Sequence, residues 1–203
     1  MISLYNTDAI EWLKTLDNDS VDLIVSDPPY RVSQHGHSGL GGIFKTKVGE
    51  DKKLNGKLFE HNEVDVNDYA SELFRVLKPD SHCYIMTNDR NLQNFLNVFT
   101  DVGFHFTKLI IWDKQNKIAN PYYMQQVEYI LFMSKGHTKQ INNCGTSNLL
   151  SISNMANKNN DHPTEKPVEL MEILIKNSSK EGDLVMDPFV GVGATALACQ
   201  NLN

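Results

Sequence analysis

Two short runs carry residue types whose order and spacing suit chemistry on a planar amine. The first is Asp27-Pro28-Pro29-Tyr30. Successive prolines hold φ near about −65°, supply no N–H, and press the residues before them, Asp27 and Pro28, into extended backbone. The Asp27 carboxylate and the Pro28 carbonyl are thereby acceptors with few local donors. An exocyclic amine on a nucleobase has two N–H donors and a lone pair delocalised into the ring, which makes it a poor nucleophile. Two rigid acceptors taking one N–H each favour a pyramidal nitrogen with its lone pair aimed at an incoming electrophile. Tyr30 offers a ring face to a base drawn out of a duplex, a contact worth about 1–3 kcal/mol. Taken alone, the four residues also read as an ordinary strand-ending turn with a buried tyrosine.

The second run is Asp187-Pro188-Phe189-Val190-Gly191-Val192-Gly193-Ala194-Thr195. It reads as a strand end, a tight glycine turn and the start of a helix of small residues (Ala194, Ala196, Ala198). Glycines at such a turn let backbone approach a ligand closely, and a nucleoside-containing cofactor suits it. No third glycine completes a dinucleotide fingerprint, and a turn that only packs helix on strand is the plain alternative.

The elements that must position these runs follow from hydropathy. Apolar runs bounded by turn residues at 21–26, 82–87, 107–112, 127–133 and 184–186, with 2–5 as a further candidate, predict buried strands. Helical periodicity lies between them at 9–16, 66–77, 91–102 and 168–177. The alternation predicts an α/β fold, a mostly parallel sheet with helices on both faces, and places Asp27 at the carboxyl end of its strand, where such sheets do their chemistry. At 203 residues the chain is expected to form a single domain, 1–203. Segments 31–62 and 136–161 break the rhythm with Gly, Lys, Asn, Ser and His, and loops of that length are commonly functional.

Composition excludes several classes. No apolar run reaches the roughly 20 residues of a membrane span, and the acidic N-terminal stretch is unlike a signal peptide, so no membrane and a cytoplasmic location are expected. Cys83, Cys144 and Cys199 are scattered, which suggests neither disulfides nor a zinc site, and no metal is expected. The net charge of −6 weighs against a nucleic-acid partner, but lysines gather at 45, 47, 52, 53 and 57 and again at 114, 117, 135 and 139, where basic patches could face DNA.

Together the two runs resemble the S-adenosylmethionine-dependent DNA amino-methyltransferases, and their order, D-P-P-Y first and D-P-F-x-G-x-G last, resembles the circularly permuted β group of that family. Arg75-Val76-Leu77-Lys78-Pro79, Ile110-Ile111-Trp112-Asp113-Lys114, Val127-Glu128-Tyr129-Ile130-Leu131-Phe132 and His162-Pro163-Thr164-Glu165-Lys166-Pro167 extend the likeness over nearly the whole chain. The resemblance implies a Rossmann-like methyltransferase fold and transfer of a methyl group from S-adenosylmethionine to a flipped base in double-stranded DNA. By that likeness Asp27, Pro28, Pro29 and Tyr30 are the catalytic residues. Asp187, Pro188, Phe189, Gly191, Gly193 and Thr195 line the cofactor, Thr164 and Lys166 sit near its methionine part, and Asp8 and Ala9 approach its adenine. Asp8 reads equally as a helix N-cap, and Lys166 as a solvated charge.

Asp at position 27, where many cytosine-N4 enzymes of the group carry Ser, favours adenine N6 over cytosine N4. Segment 31–62 is expected to cover the target base, and 136–161 to be a short target-recognition segment. The resemblance also implies a further strand, with an acidic ribose ligand, beyond position 203. The expectation is therefore a short chain with weakened hold on its cofactor, one completed by a partner or a homodimer, or a silent DNA-binding member.

Overall fold

Alternation along the inner strands divides their side chains between two separate cores. The computed structural model describes residues 1–29, 64–119, 122–154 and 166–202. Within β2 (Leu77–Thr87), Cys83 and Ile85 enter one core while Tyr84 and Met86 enter the other. Strand β1 (Val21–Ser26) does the same, with Ile24 on the first face and Leu23 and Val25 on the second. Such two-sided burial is what a sheet covered on both faces requires.

The first face is covered by α1 (Ala9–Thr15), α2 (Val66–Val76) and α3 (Leu92–Asp101), through Leu13, Tyr69, Leu73, Phe95 and Phe99. The second is covered by α4 (Val168–Ser178) and α5 (Ala194–Leu202), through Leu170, Leu174, Ala194 and Ala198. Among the described residues no helix is long and apolar enough to cross a membrane.

With β3 (Phe104–Ile118), β4 (Gln125–Lys135), β5 (Leu149–Ser151) and β6 (Val185–Met186), the strands lie in the order β5-β3-β4-β2-β1-β6. β1 pairs parallel with β2 and β6, and β3 parallel with β5, whereas β4 runs antiparallel to both β2 and β3. Five strands therefore point one way and β4 the other. The cause is the connection: β3 and β4 are separated only by 119–124, too short for the crossover of a dozen or more residues that a parallel pair needs.

The predicted strand at 2–5 is not formed. Ile2, Leu4 and Tyr5 are 45%, 69% and 63% exposed, so this apolar run has no face to bury, and Tyr5 instead lies against Trp12 with ring centroids 5.6 Å apart. Conversely, β5 falls within 136–161, read from sequence as irregular; three residues give too little pattern to announce a strand. Segment 31–62 and positions 155–161 lie outside the described residues.

Candidate active site

Parallel pairing of β1 with β6, Leu23 opposite Val185 and Ile24 opposite Met186, brings the two chemically suggestive runs out at the same edge of the sheet. A side-chain bond joins them, Ser26 Oγ donating to Asp187 Oδ1 at 2.6 Å. The same oxygen accepts from the Phe189 N–H at 3.1 Å, and Thr195 Oγ donates to Oδ2 at 2.7 Å. Thus the Asp187 carboxylate organises the glycine turn and straps it to β1. Gly191 and Gly193 stand at φ +51° and +94°, in the left-handed region that side chains avoid. Among the described residues a Cβ on Gly193 would meet nothing within 4 Å and one on Gly191 only the Phe189 carbonyl at 3.9 Å, so backbone conformation demands the glycines. Phe189 packs edge-on against Tyr69, 5.0 Å between centroids.

Burial pushes the Asp187 carboxyl up to about 6, overcoming the donors that favour its charged form. Between about pH 4 and 6 the native chain therefore holds a proton there that the unfolded chain, near the usual 3.8, has released. It follows that this group's contribution to stability falls as pH rises from about 4 to about 6, on the order of 2–3 kcal/mol in all. Asp187→Asn keeps the carbonyl acceptor and gives Thr195 a donor. The melting temperature of wild type relative to Asp187→Asn is expected to decline across that window, and a constant difference would refute the assignment.

At the end of β1, Asp27 enters a row of alternating charges. Lys166 Nζ lies 2.8 Å from Asp27 Oδ2 and 3.3 Å from Glu128 Oε2, and Lys114 Nζ lies 3.1 Å from Glu128 Oε1. The Lys166 and Lys114 side chains are only 8% and 7% exposed, so this is a buried network in which each charge depends on its neighbours. The Lys166–Glu128 approach is ionic without hydrogen-bond alignment. Beneath it Lys166 Nζ stands 6.0 Å from the centre of the Trp112 ring, whose indole N–H is fixed on the Ile152 carbonyl at 2.8 Å. Asp27 Oδ1, by contrast, is buried and has no hydrogen-bond partner among the described residues. Two further buried oxygens in this quarter, Tyr69 Oη and Thr87 Oγ1, share that condition.

Burial raises the Asp27 carboxyl above the usual range, aided by the Glu128 charge and opposed by the Lys166 ammonium. Burial also works against ionised Glu128, yet the Lys166 and Lys114 ammoniums hold it below its usual range.

The other expected residues are distributed as follows. Pro28 is buried and Pro29 half-buried beside Asp27, while Tyr30 and Thr164 lie outside the described residues. The Asp8 carboxylate caps α1, accepting from the N–H groups of Ile10 at 3.0 Å and Glu11 at 2.9 Å, and Ala9 is the first residue of that helix. Asp8→Ala is expected to cost about 1 kcal/mol, a fall of roughly 2–4 °C in melting temperature, which a thermal scan would check. The sequence reading gave no role to Ser26 or Glu128, and it placed Lys114 in a basic patch that could face DNA, whereas Lys114 is buried and paired with Glu128. Glu128 did leave a signal, as the one charge inside the apolar run 127–133, and it faces Trp112 across the β3–β4 pair.

Residues 21–203 match the family described as DNA methylase, the N6/N4 methyltransferases. The chain is 32% identical over 223 residues to the type II methyltransferase M.HpaI of Haemophilus parainfluenzae, covering 97% of this chain and 66% of that protein. It is 29% identical to the type II methyltransferase M2.DpnII of Streptococcus pneumoniae, covering 98% of this chain and 81% of the relative. Among solved structures, the M1.HpyAVI–SAM complex superposes with a TM-score of 0.68 at 26% identity, covering all of this chain and 89% of that one. The cytosine-N4-specific PvuII DNA methyltransferase, 19% identical with a TM-score of 0.72 over 98% of this chain and 78% of its own, shares the fold. A strand-top acidic turn strapped to a glycine turn, on a sheet of this order and with this match along the chain, places the protein in the N6/N4 DNA methylase family.

Proposed function

We propose that the chain transfers a methyl group from S-adenosylmethionine to the exocyclic amine of a base flipped out of double-stranded DNA, with adenine N6 as the target. The observation that carries this is Asp27 Oδ1: a buried acceptor without a hydrogen-bond partner among the described residues, at the carboxyl end of β1, beside a turn tied to β1 through Ser26 and Asp187. An unsatisfied buried carboxylate oxygen costs free energy and persists where a ligand is to supply the donor. A base amine supplies that donor. With Oδ2 anchored on Lys166, the free oxygen takes one N–H, and the Pro28 carbonyl takes the other.

The glycine turn suits the cofactor. Its backbone is held open by left-handed residues, its carboxylate is satisfied internally, and no described residue crowds the space beside Gly193. Bound there, S-adenosylmethionine would supply an electrophilic methyl group. The residues Asp187 to Thr195 would hold it, with Lys166, Thr164, Asp8 and Ala9 as further contacts. After transfer the amine carries a surplus proton, and Asp27, raised by burial, is the group placed to receive it. Tyr30 would stack on the extruded base, and segment 31–62 would close over it.

Incubation of the protein with labelled S-adenosylmethionine and duplex DNA, followed by digestion to nucleosides, tests the reading. The expected product is labelled N6-methyladenine, lost in Asp27→Ala. Label in N4-methylcytosine would overturn the choice of base, and unlabelled DNA would overturn the activity.

A further inference from the structure

The charge row does not end at the catalytic turn. Lys166 precedes α4, Glu128 lies near the start of β4 and Lys114 near the end of β3, so the row draws on three parts of the fold and reaches Asp27 Oδ2 through Lys166 alone. We propose that Glu128 is a positioning residue for this turn: by sharing the Lys166 ammonium with Asp27, it confines that ammonium to Oδ2 and keeps Oδ1 open for the amine. The inference rests on the methyltransferase reading given above.

The geometry supplies the argument. A lysine ammonium has three donors on a flexible stem and settles where the local negative charge is greatest. Here it is held between two carboxylates, at 2.8 and 3.3 Å, and Glu128 is itself held from the other side by Lys114 at 3.1 Å. Were Glu128 uncharged, Asp27 would be the ammonium's remaining carboxylate in this row, and Lys166 could swing across both Asp27 oxygens and cover the acceptor that the reaction needs. Asp27 would also lose a neighbouring negative charge. Among the described residues the other ionisable groups that act on Asp27 are Asp187 after β6 and Tyr69 on α2, and neither belongs to the row.

The test measures methyl transfer to duplex DNA across roughly pH 5–9 for wild type, Glu128→Gln, Glu128→Asp and the doubly substituted Glu128→Gln/Lys114→Gln, which keeps the site's charge balanced should the single variant fold poorly. Activity requires ionised Asp27. Loss of Glu128 removes a charge that raises Asp27, so the acidic limb of the profile is expected to move to lower pH in both Gln variants. The saturated rate should fall at least about 10-fold, while S-adenosylmethionine affinity by calorimetry changes little. Glu128→Asp should return the limb toward its wild-type position. An acidic limb unmoved in the Gln variants, with wild type active, would overturn the positioning role alone, since a merely structural glutamate lowers activity without moving the limb. A wild type that leaves DNA unlabelled would overturn the methyltransferase reading, and the inference with it.

Discussion

Asp27→Asn is expected to reduce methyl transfer to DNA by at least about 100-fold, the usual loss when one preorganised polar contact to the reacting group is removed. The substitution preserves shape. One oxygen can still meet Lys166, but the amide then turns an NH2 toward the place where the base amine would bring its own N–H, and donor faces donor. The negative charge that would accept the departing proton is also gone. Because the variant remains close to isosteric, cofactor affinity should survive, so the loss belongs in kcat. Calorimetry with S-adenosylmethionine beside single-turnover transfer would separate the two, and an Asn variant within a few-fold of wild type would remove Asp27 from the chemistry.

The largest effect on folding is expected at Lys166. Lys166→Met fills the same space but leaves the Asp27 and Glu128 carboxylates facing each other without the ammonium between them. Removing one partner from a buried ionic group costs about 3–5 kcal/mol, which in a chain of this size lowers the melting temperature by roughly 6–20 °C. The sign of the pH dependence is distinctive. Without Lys166 the Asp27 carboxyl, already raised by burial, loses the ammonium that opposes the rise, so the deficit is full at neutral pH and shrinks as pH falls through that raised value. Melting curves for wild type and variant should therefore converge on acidification. A gap independent of pH would mean that Lys166 acts through its packing on Trp112 instead.

Much of the scaffold could be read from one sequence because its signals are local. The run 21–26 became β1 with those bounds, and the helix at 66–77 ended one residue early, where the chain turns into β2. The turn at Asp27 and the glycine turn were visible through proline and glycine, whose backbone constraints need no context. The reversal of β4 was hidden because an apolar run has no direction. The three residues of β5 were too few to show a period, and 2–5 looked like a strand because hydrophobicity alone does not say whether a partner exists. At the site, Asp187 was legible as part of the turn, yet its bonds to Ser26 and Thr195 were not, since they depend on how strand ends meet. The charge row was hidden for the same reason: Lys114, Glu128 and Lys166 lie far apart in sequence, and although Glu128 stood out inside an apolar run, nothing local named its partners.

The hydrogen bond from Ser26 to Asp187 spans 161 positions of chain. Contacts of such separation form against a large loss of chain entropy and are reached late in folding. Both halves of the site belong to that class: most of the chain lies between them, and neither has its geometry until they meet. A ligand engaging both turns would bind the finished native state in preference to earlier species and stabilise it by mass action. Saturation with the cofactor should therefore slow global unfolding, and the strap between the two turns should be among the last native contacts to appear during refolding.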